Sequence, residues 1–142
     1  MTDVAETDLP TVLFLCVQNA GRSQMAAGWL QHLAGEQVRV LSGGSKPAAQ
    51  LHPVASEAMR EVGIDLTHNT PRAWTRQDLE TADVVVTMGC GDECPVIPGK
   101  RYLDWELTDP SGRPLEEVRP IRDEIGQRVR GLLHELGIEP QS

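Results

Sequence analysis

Residues Thr11 to Cys16 read TVLFLC, a strand-length apolar run rich in β-formers. It predicts a buried strand. Gln18-Asn19-Ala20-Gly21 then breaks the pattern, and a helical one follows at once. From Arg22 to Ala34 the chain reads RSQMAAGWLQHLA, with Met25, Trp29 and Leu33 at four-residue spacing and Gly35 as the stop signal. The alternation continues. Val38 to Leu41 is a second strand candidate, followed by Ser42-Gly43-Gly44-Ser45. Pro53 to Val62 predicts a helix opened by proline and closed by Gly63. Thr75 to Thr81 predicts a short helix, Asp83 to Thr87 a third strand, and Arg101 to Asp104 a fourth. Leu115 to Leu136 predicts a long helix with Val118, Ile121, Ile125, Val129 and Leu132 on one side. Short apolar strands alternating with helices imply βαβ units and an α/β fold with a parallel sheet. Right-handed crossovers put the strand C-termini on one edge, where such sheets bind ligands. Cys16, Cys90, Cys94 and Asp109 all fall in loops expected there.

The chain has 142 residues, which fits one domain, expected over 11–138 between a polar tail at 1–10 and a short tail at 139–142. Its net charge of −8 argues against a general nucleic-acid binder, which needs a basic footprint. No apolar run approaches the roughly 20 residues that span a bilayer. The acidic start MTDVAETDLP lacks the basic and apolar regions of a secretory signal. Three cysteines without an export signal point to a reducing cytoplasm, where such residues are more often catalytic or metal-binding than structural bridges.

The segment Cys16-Val17-Gln18-Asn19-Ala20-Gly21-Arg22-Ser23 carries the strongest chemical signal. A loop curling into a helix N-terminus aims free backbone N–H groups at one spot, which suits a tetrahedral oxyanion. Arg22 adds a planar, permanently charged fork able to grip two oxygens. The same field favours the thiolate of Cys16, and a thiolate beneath a bound oxyanion is a nucleophile placed for attack. Ser23 can donate to that thiolate, Asn19 can tie the loop together, and Gly21 permits close backbone approach.

Cys90 and Cys94 lie in a second loop, Gly89-Cys90-Gly91-Asp92-Glu93-Cys94-Pro95. On a helical turn, residues four apart lie about 6 Å from each other, within disulfide range. The pair could bridge, supply half of a zinc site with His52 or His68, or be inert small hydrophobes. Asp109-Pro110-Ser111-Gly112 reads as a turn. His32 and His134 sit in helical stretches as surface or packing residues; His52 and His68 have no evident role. Trp29 and Trp74 are expected in the core or a groove.

CVQNAGRSQMA resembles the phosphate loop of the low-molecular-weight protein tyrosine phosphatase superfamily, and most closely its arsenate reductase branch. The similarity runs from about Thr11 to about Leu133 and includes AMREVGID, VVVTMGC, CPVIPGK, DWELTDPSG and VRPIRDEI. It implies a three-layer sandwich: a four-stranded parallel sheet flanked by helices. It also implies reduction of arsenate to arsenite in arsenical detoxification, with Cys16 forming the adduct and Arg22 holding the oxyanion. Asp109 would protonate the departing oxygen, with Asp104 the fallback. The disulfide would pass from Cys16–Cys90 to Cys90–Cys94. Reduced thioredoxin is the implied electron source, since relatives lacking the pair use a low-molecular-weight thiol such as mycothiol. No tightly bound cofactor is expected, and phosphate or sulfate should compete with arsenate.

Two further functions fit less well. A tyrosine or small-molecule phosphatase of this superfamily carries aromatic residues after the Asp-Pro, whereas Ser111 and Gly112 follow here. A non-catalytic oxyanion sensor would not need nucleophile, cradle and acid together. In some relatives potassium steadies the phosphate loop. Ala27 stands where an acidic ligand is expected, although Ser42 and Asp65 are present, and no metal is assigned.

Overall fold

The computed structural model describes residues 9–89 and 100–140. Cys90 and Cys94, and the loop expected around them, lie outside the described residues. Four strands form the sheet: β1 (Thr11–Cys16), β2 (Arg39–Gly44), β3 (Val84–Thr87) and β4 (Arg101–Asp104). Four helices accompany them: α1 (Arg22–Ala34), α2 (Pro53–Glu61), α3 (Arg76–Thr81) and α4 (Leu115–Glu135). The strand order is β2-β1-β3-β4, every neighbouring pair parallel.

β1 is central because all six of its residues are buried. Its side chains alternate between two cores, as the two-residue period of a strand requires. Val12, Phe14 and Cys16 face a large core built with Met25, Trp29 and Leu33 of α1, Ala58 and Met59 of α2, and Ile125 and Val129 of α4. Leu13 and Leu15 face a smaller one with Leu79, Ala82 and Val85, covered by α3 and Trp74. The three-layer α/β sandwich is therefore present, and among the described residues three α-helices lie on one face and one short helix on the other. α3 compensates for its length with a capping box: Thr75 accepts from the Asp78 N–H, and Asp78 accepts from the Thr75 N–H.

β2 departs from expectation. It runs to Gly44, so Ser42-Gly43-Gly44 is strand rather than loop. The reason is close packing. A Cβ on Gly43 would stand 2.8 Å from the Trp74 backbone, and one on Gly44 2.5 Å from the Val17 carbonyl oxygen. Glycines mark close backbone approach here, not a turn.

The order β2-β1-β3 reverses the winding direction at β1, so Cys16 ends the strand beside the topological switch point. No helix of the described residues is long and apolar enough to cross a membrane.

Candidate active site

The loop after β1 is held from outside. Five consecutive carbonyls each meet a donor: Cys16 the N–H of Ser45 (3.3 Å), Val17 that of Lys46 (2.8 Å), Gln18 that of Ala48 (3.0 Å), Asn19 the Gln24 amide (3.2 Å) and Ala20 the N–H of His52 (2.9 Å). With its carbonyls pinned outward, the loop turns amide groups inward, and the Asn19 N–H donates to Cys16 Sγ at 3.2 Å. Asn19 adopts φ 51°, a left-handed angle that asparagine tolerates better than most residues.

α1 begins without a side-chain cap, at Gly21, and has no acidic residue in its first turn. A helix start that supplies neither cap nor carboxylate leaves its N–H groups and dipole for an external anion. Gly21 is closely covered: a Cβ there would lie 3.0 Å from Pro110 and 3.1 Å from His52. Buried Pro110 thereby docks its turn against the start of α1 and brings Asp109 to the cavity.

The resulting cavity of about 370 Å³ is lined by Cys16, Val17, Gln18, Gly21, Arg22, His52, Gly89, Asp109 and Ser111. Cys16 is buried, with Sγ 2.8 Å from Ser23 Oγ. Arg22 donates through Nη1 to the Leu107 carbonyl at 3.3 Å and places Nη2 3.7 Å from Asp109 Oδ2. A Cβ on Gly89 would collide with Arg22 Nη1, so Gly89 and the guanidinium are in direct apposition. Asp109 also caps its own turn, accepting from the Ser111 N–H at 3.0 Å.

The cavity thus unites Cys16, Val17, Gln18, Gly21, Arg22 and Asp109. Asn19, Ala20 and Ser23 support the loop from behind. Asp104, the fallback acid, stands instead at the end of β4 and accepts from Thr87 Oγ1 at 2.8 Å. His52 and Gly89 join the cavity wall unannounced. The only sequence signal for His52 is its position just before the proline that opens α2. His68 pairs with Asp65 at 3.7 Å, away from the cavity. Among the described residues no cluster of three His, Cys, Asp or Glu is placed to hold a metal.

Ala27, Ser42 and Asp65 line one cleft. The Ser42 carbonyl is taken by Arg72 Nη1 at 2.7 Å, Asp65 Oδ1 by the Thr67 N–H at 2.9 Å, and Ala27 offers no oxygen on its side chain. That larger cleft, of about 690 Å³, lies between α1, β2 and residues 63–72. It lacks a cysteine, whereas the smaller cavity holds Cys16 beside a fixed cation.

Comparison with known proteins places this architecture. The family model for low molecular weight phosphotyrosine protein phosphatase matches residues 11–142. An arsenate reductase 2 of Staphylococcus haemolyticus is 40% identical over 122 residues, covering 83% of this chain and 92% of its own. A thioredoxin-dependent arsenate reductase structure from Corynebacterium glutamicum superposes with TM-score 0.80 at 44% identity, over 91% of this chain. This chain spans 62% of that longer one. An arsenate reductase solved in its phosphate-binding state superposes with TM-score 0.76 at 33% identity, covering 89% of this chain and 98% of its own. With the fold, the loop after β1 and this extent of match in agreement, the chain belongs to the low molecular weight phosphotyrosine protein phosphatase family, on its arsenate reductase branch.

Proposed function

We propose that this protein reduces arsenate to arsenite, with Cys16 as nucleophile and the pair Cys90 and Cys94 as the internal reductant. The observation that carries the chemistry is the uncapped start of α1 beside Arg22 and above Cys16. It offers a tetrahedral oxyanion N–H donors, a guanidinium fork and a nucleophile at once. An oxyanion entering the cavity competes with Asp109 for Arg22, which frees Asp109 to act on the leaving oxygen.

Cys16 thiolate attacks arsenic and forms an S–As bond. An As–O bond breaks, and Asp109 supplies the proton with which that oxygen departs as water. Cys90 thiolate then attacks Cys16 Sγ. An S–S bond forms, the S–As bond breaks, and its electron pair stays on arsenic, which leaves as arsenite. Cys94 thiolate attacks Cys90, moving the disulfide to Cys90–Cys94 and restoring Cys16. A reduced dithiol protein of the thioredoxin class reopens that disulfide. Cys90 directly follows Gly89, a residue of the cavity wall.

Two further observations support a reductase over a phosphatase. No aromatic side chain lines the cavity among the described residues. Phe14 is buried in the core, and Tyr102 packs against the small core beyond the sheet. An aryl phosphate would find no slot, whereas arsenate needs none. Phosphate and sulfate, of the same shape and charge class, should compete.

The test is NADPH consumption with arsenate, thioredoxin and thioredoxin reductase, run on the wild type and on Cys16→Ser, Cys90→Ser and Cys94→Ser. Arsenate-dependent turnover should fall to background in all three variants. Loss with Cys16→Ser alone would assign resolution to an external thiol. Brisk aryl phosphate hydrolysis without arsenate-dependent oxidation would overturn the reductase reading.

A further inference from the structure

A directed hydrogen-bond chain runs from the large cleft to Cys16, and backbone groups with fixed roles set its direction. The Arg72 N–H lies 3.0 Å from the Asn19 side chain. A backbone N–H only donates, so the atom it meets is Oδ1. The carbonyls of Asn19 and Thr70 only accept, and both meet one atom of Gln24, at 3.2 and 3.4 Å. That atom is therefore Nε2. Its two hydrogens are shared with a third acceptor, Asn19 Oδ1 at 3.1 Å, while Gln24 Oε1 accepts from Asn69 Nδ2 at 3.3 Å.

With Oδ1 held by two donors, Asn19 presents Nδ2 to Ser23 Oγ at 2.7 Å. A side-chain amide nitrogen cannot accept, so Ser23 accepts there. Its own hydrogen is left for Cys16 Sγ, 2.8 Å away.

We propose that Gln24, oriented by the Asn19 and Thr70 carbonyls, is a positioning residue that aims the Ser23 hydroxyl hydrogen at Cys16 Sγ. Gln24 is buried behind the loop and borders the large cleft, not the reaction cavity. It acts only through Asn19. Without its amide, Asn19 keeps one of two restraints, and the flipped amide competes. In the flipped form Oδ1 faces Ser23, which donates to Asn19 instead, and Sγ loses a donor. The inference rests on Cys16 being the attacking thiolate.

The experiment is alkylation of Cys16 across pH, resolved by peptide mass in the full chain without arsenate. It compares wild type, Gln24→Met, Ser23→Ala and the double variant. Among the described residues, the charged and titratable groups around Sγ are Arg22 from α1, His52 before α2 and Asp109 before α4, and all are unchanged in the series, as is Cys90. Gln24→Met should raise the alkylation midpoint by about one pH unit, a tenfold loss of thiolate below it. Ser23→Ala should raise it at least as far, and the double variant no further than Ser23→Ala alone. Additive shifts, or no shift in a folded Gln24→Met, overturn the proposal.

A second measurement needs no variant of Gln24. In wild-type NMR spectra, the side-chain amide resonances of Gln24 and Asn19 should follow the titration of Cys16. Resonances that ignore it also overturn the proposal. Because neither readout uses arsenate, the outcome is independent of the reductase assay.

Discussion

At Gly89, φ is +87° and a Cβ would collide with the Arg22 guanidinium. Both facts point to glycine: the angle strains other residues, and the contact leaves no room for a methyl group. Gly89→Ala must therefore move Arg22, whose side chain is only 14% exposed and has little space to retreat. Displacing one bidentate cation from an oxyanion site costs about 2 kcal/mol or more. Gly89→Ala should lower kcat/KM for arsenate at least tenfold, mostly through KM, with the melting temperature little changed. Steady-state kinetics beside a thermal melt decides it; unchanged KM would mean that Arg22 does not depend on Gly89. Residues of this kind are invisible along the chain. Cys16, Asn19, Arg22 and Ser23 are legible because strand, loop and helix start follow one another in eight residues. His52, Gly89 and Asn69 reach the site or its support by tertiary folding, which no local pattern announces; Gln24 lies one residue beyond Ser23, but no local pattern aims its side chain at Asn19.

Among the elements, the well-patterned ones follow the sequence closely. β1 and α1 match their expected spans because the apolar periodicity and the punctuation at Gly21 and Gly35 agree. β2 extends past Leu41, where adjacent glycines along the sequence suggest a break. Gly43 and Gly44 instead admit Trp74 and Val17 against the strand. Pro120 lies inside α4 without ending it, since it sits on an exposed face in the second turn and removes only one backbone bond. The element with least support is α3, six residues that with Trp74 cover the second face of the sheet among the described residues. A helix so short depends on its cap. Thr75→Ala removes the acceptor for the Asp78 N–H and should cost about 1 kcal/mol, a melting shift of a few degrees. Thermal denaturation of that variant measures it. An unchanged melting temperature would place the stability of this face in Leu79 and Trp74 packing alone.

Across the whole molecule, the cavity is a seam between parts distant in sequence. His52 stands at the start of α2, and the Asp109-Pro110 turn leads into α4. A clasp near the other end of α2 ties the two helices together. Glu61 accepts from Arg119 Nε and Nη2 at 2.9 and 2.7 Å and from Arg122 Nη1 at 2.8 Å. Arg122 also reaches the Ala58 carbonyl of α2 at 3.0 Å, which fixes its position from the α4 side. The Arg119 hydrogen bond, with Arg122 beside it, draws the Glu61 carboxyl down from 4.5 to about 2. A carboxyl that titrates lower when folded stabilises the fold in its charged form. That contribution is fully present above about 4.5 and fades as pH falls toward about 2. Glu61→Gln should therefore melt below the wild type at neutral pH, and the gap should close progressively through that acid window. Screening by water and salt at this exposed site keeps the gap small. Paired melts across the pH range test it, because a gap that stayed constant with pH would mean that glutamine fails by shape, not by charge. The seam links this clasp to the chemistry: His52 before α2 and the Asp109 turn before α4 both line one cavity, packed against Gly21. Glu61→Gln should therefore raise KM for arsenate at neutral pH, read by steady-state kinetics beside the melts, and the difference from wild type should close through the same acid window.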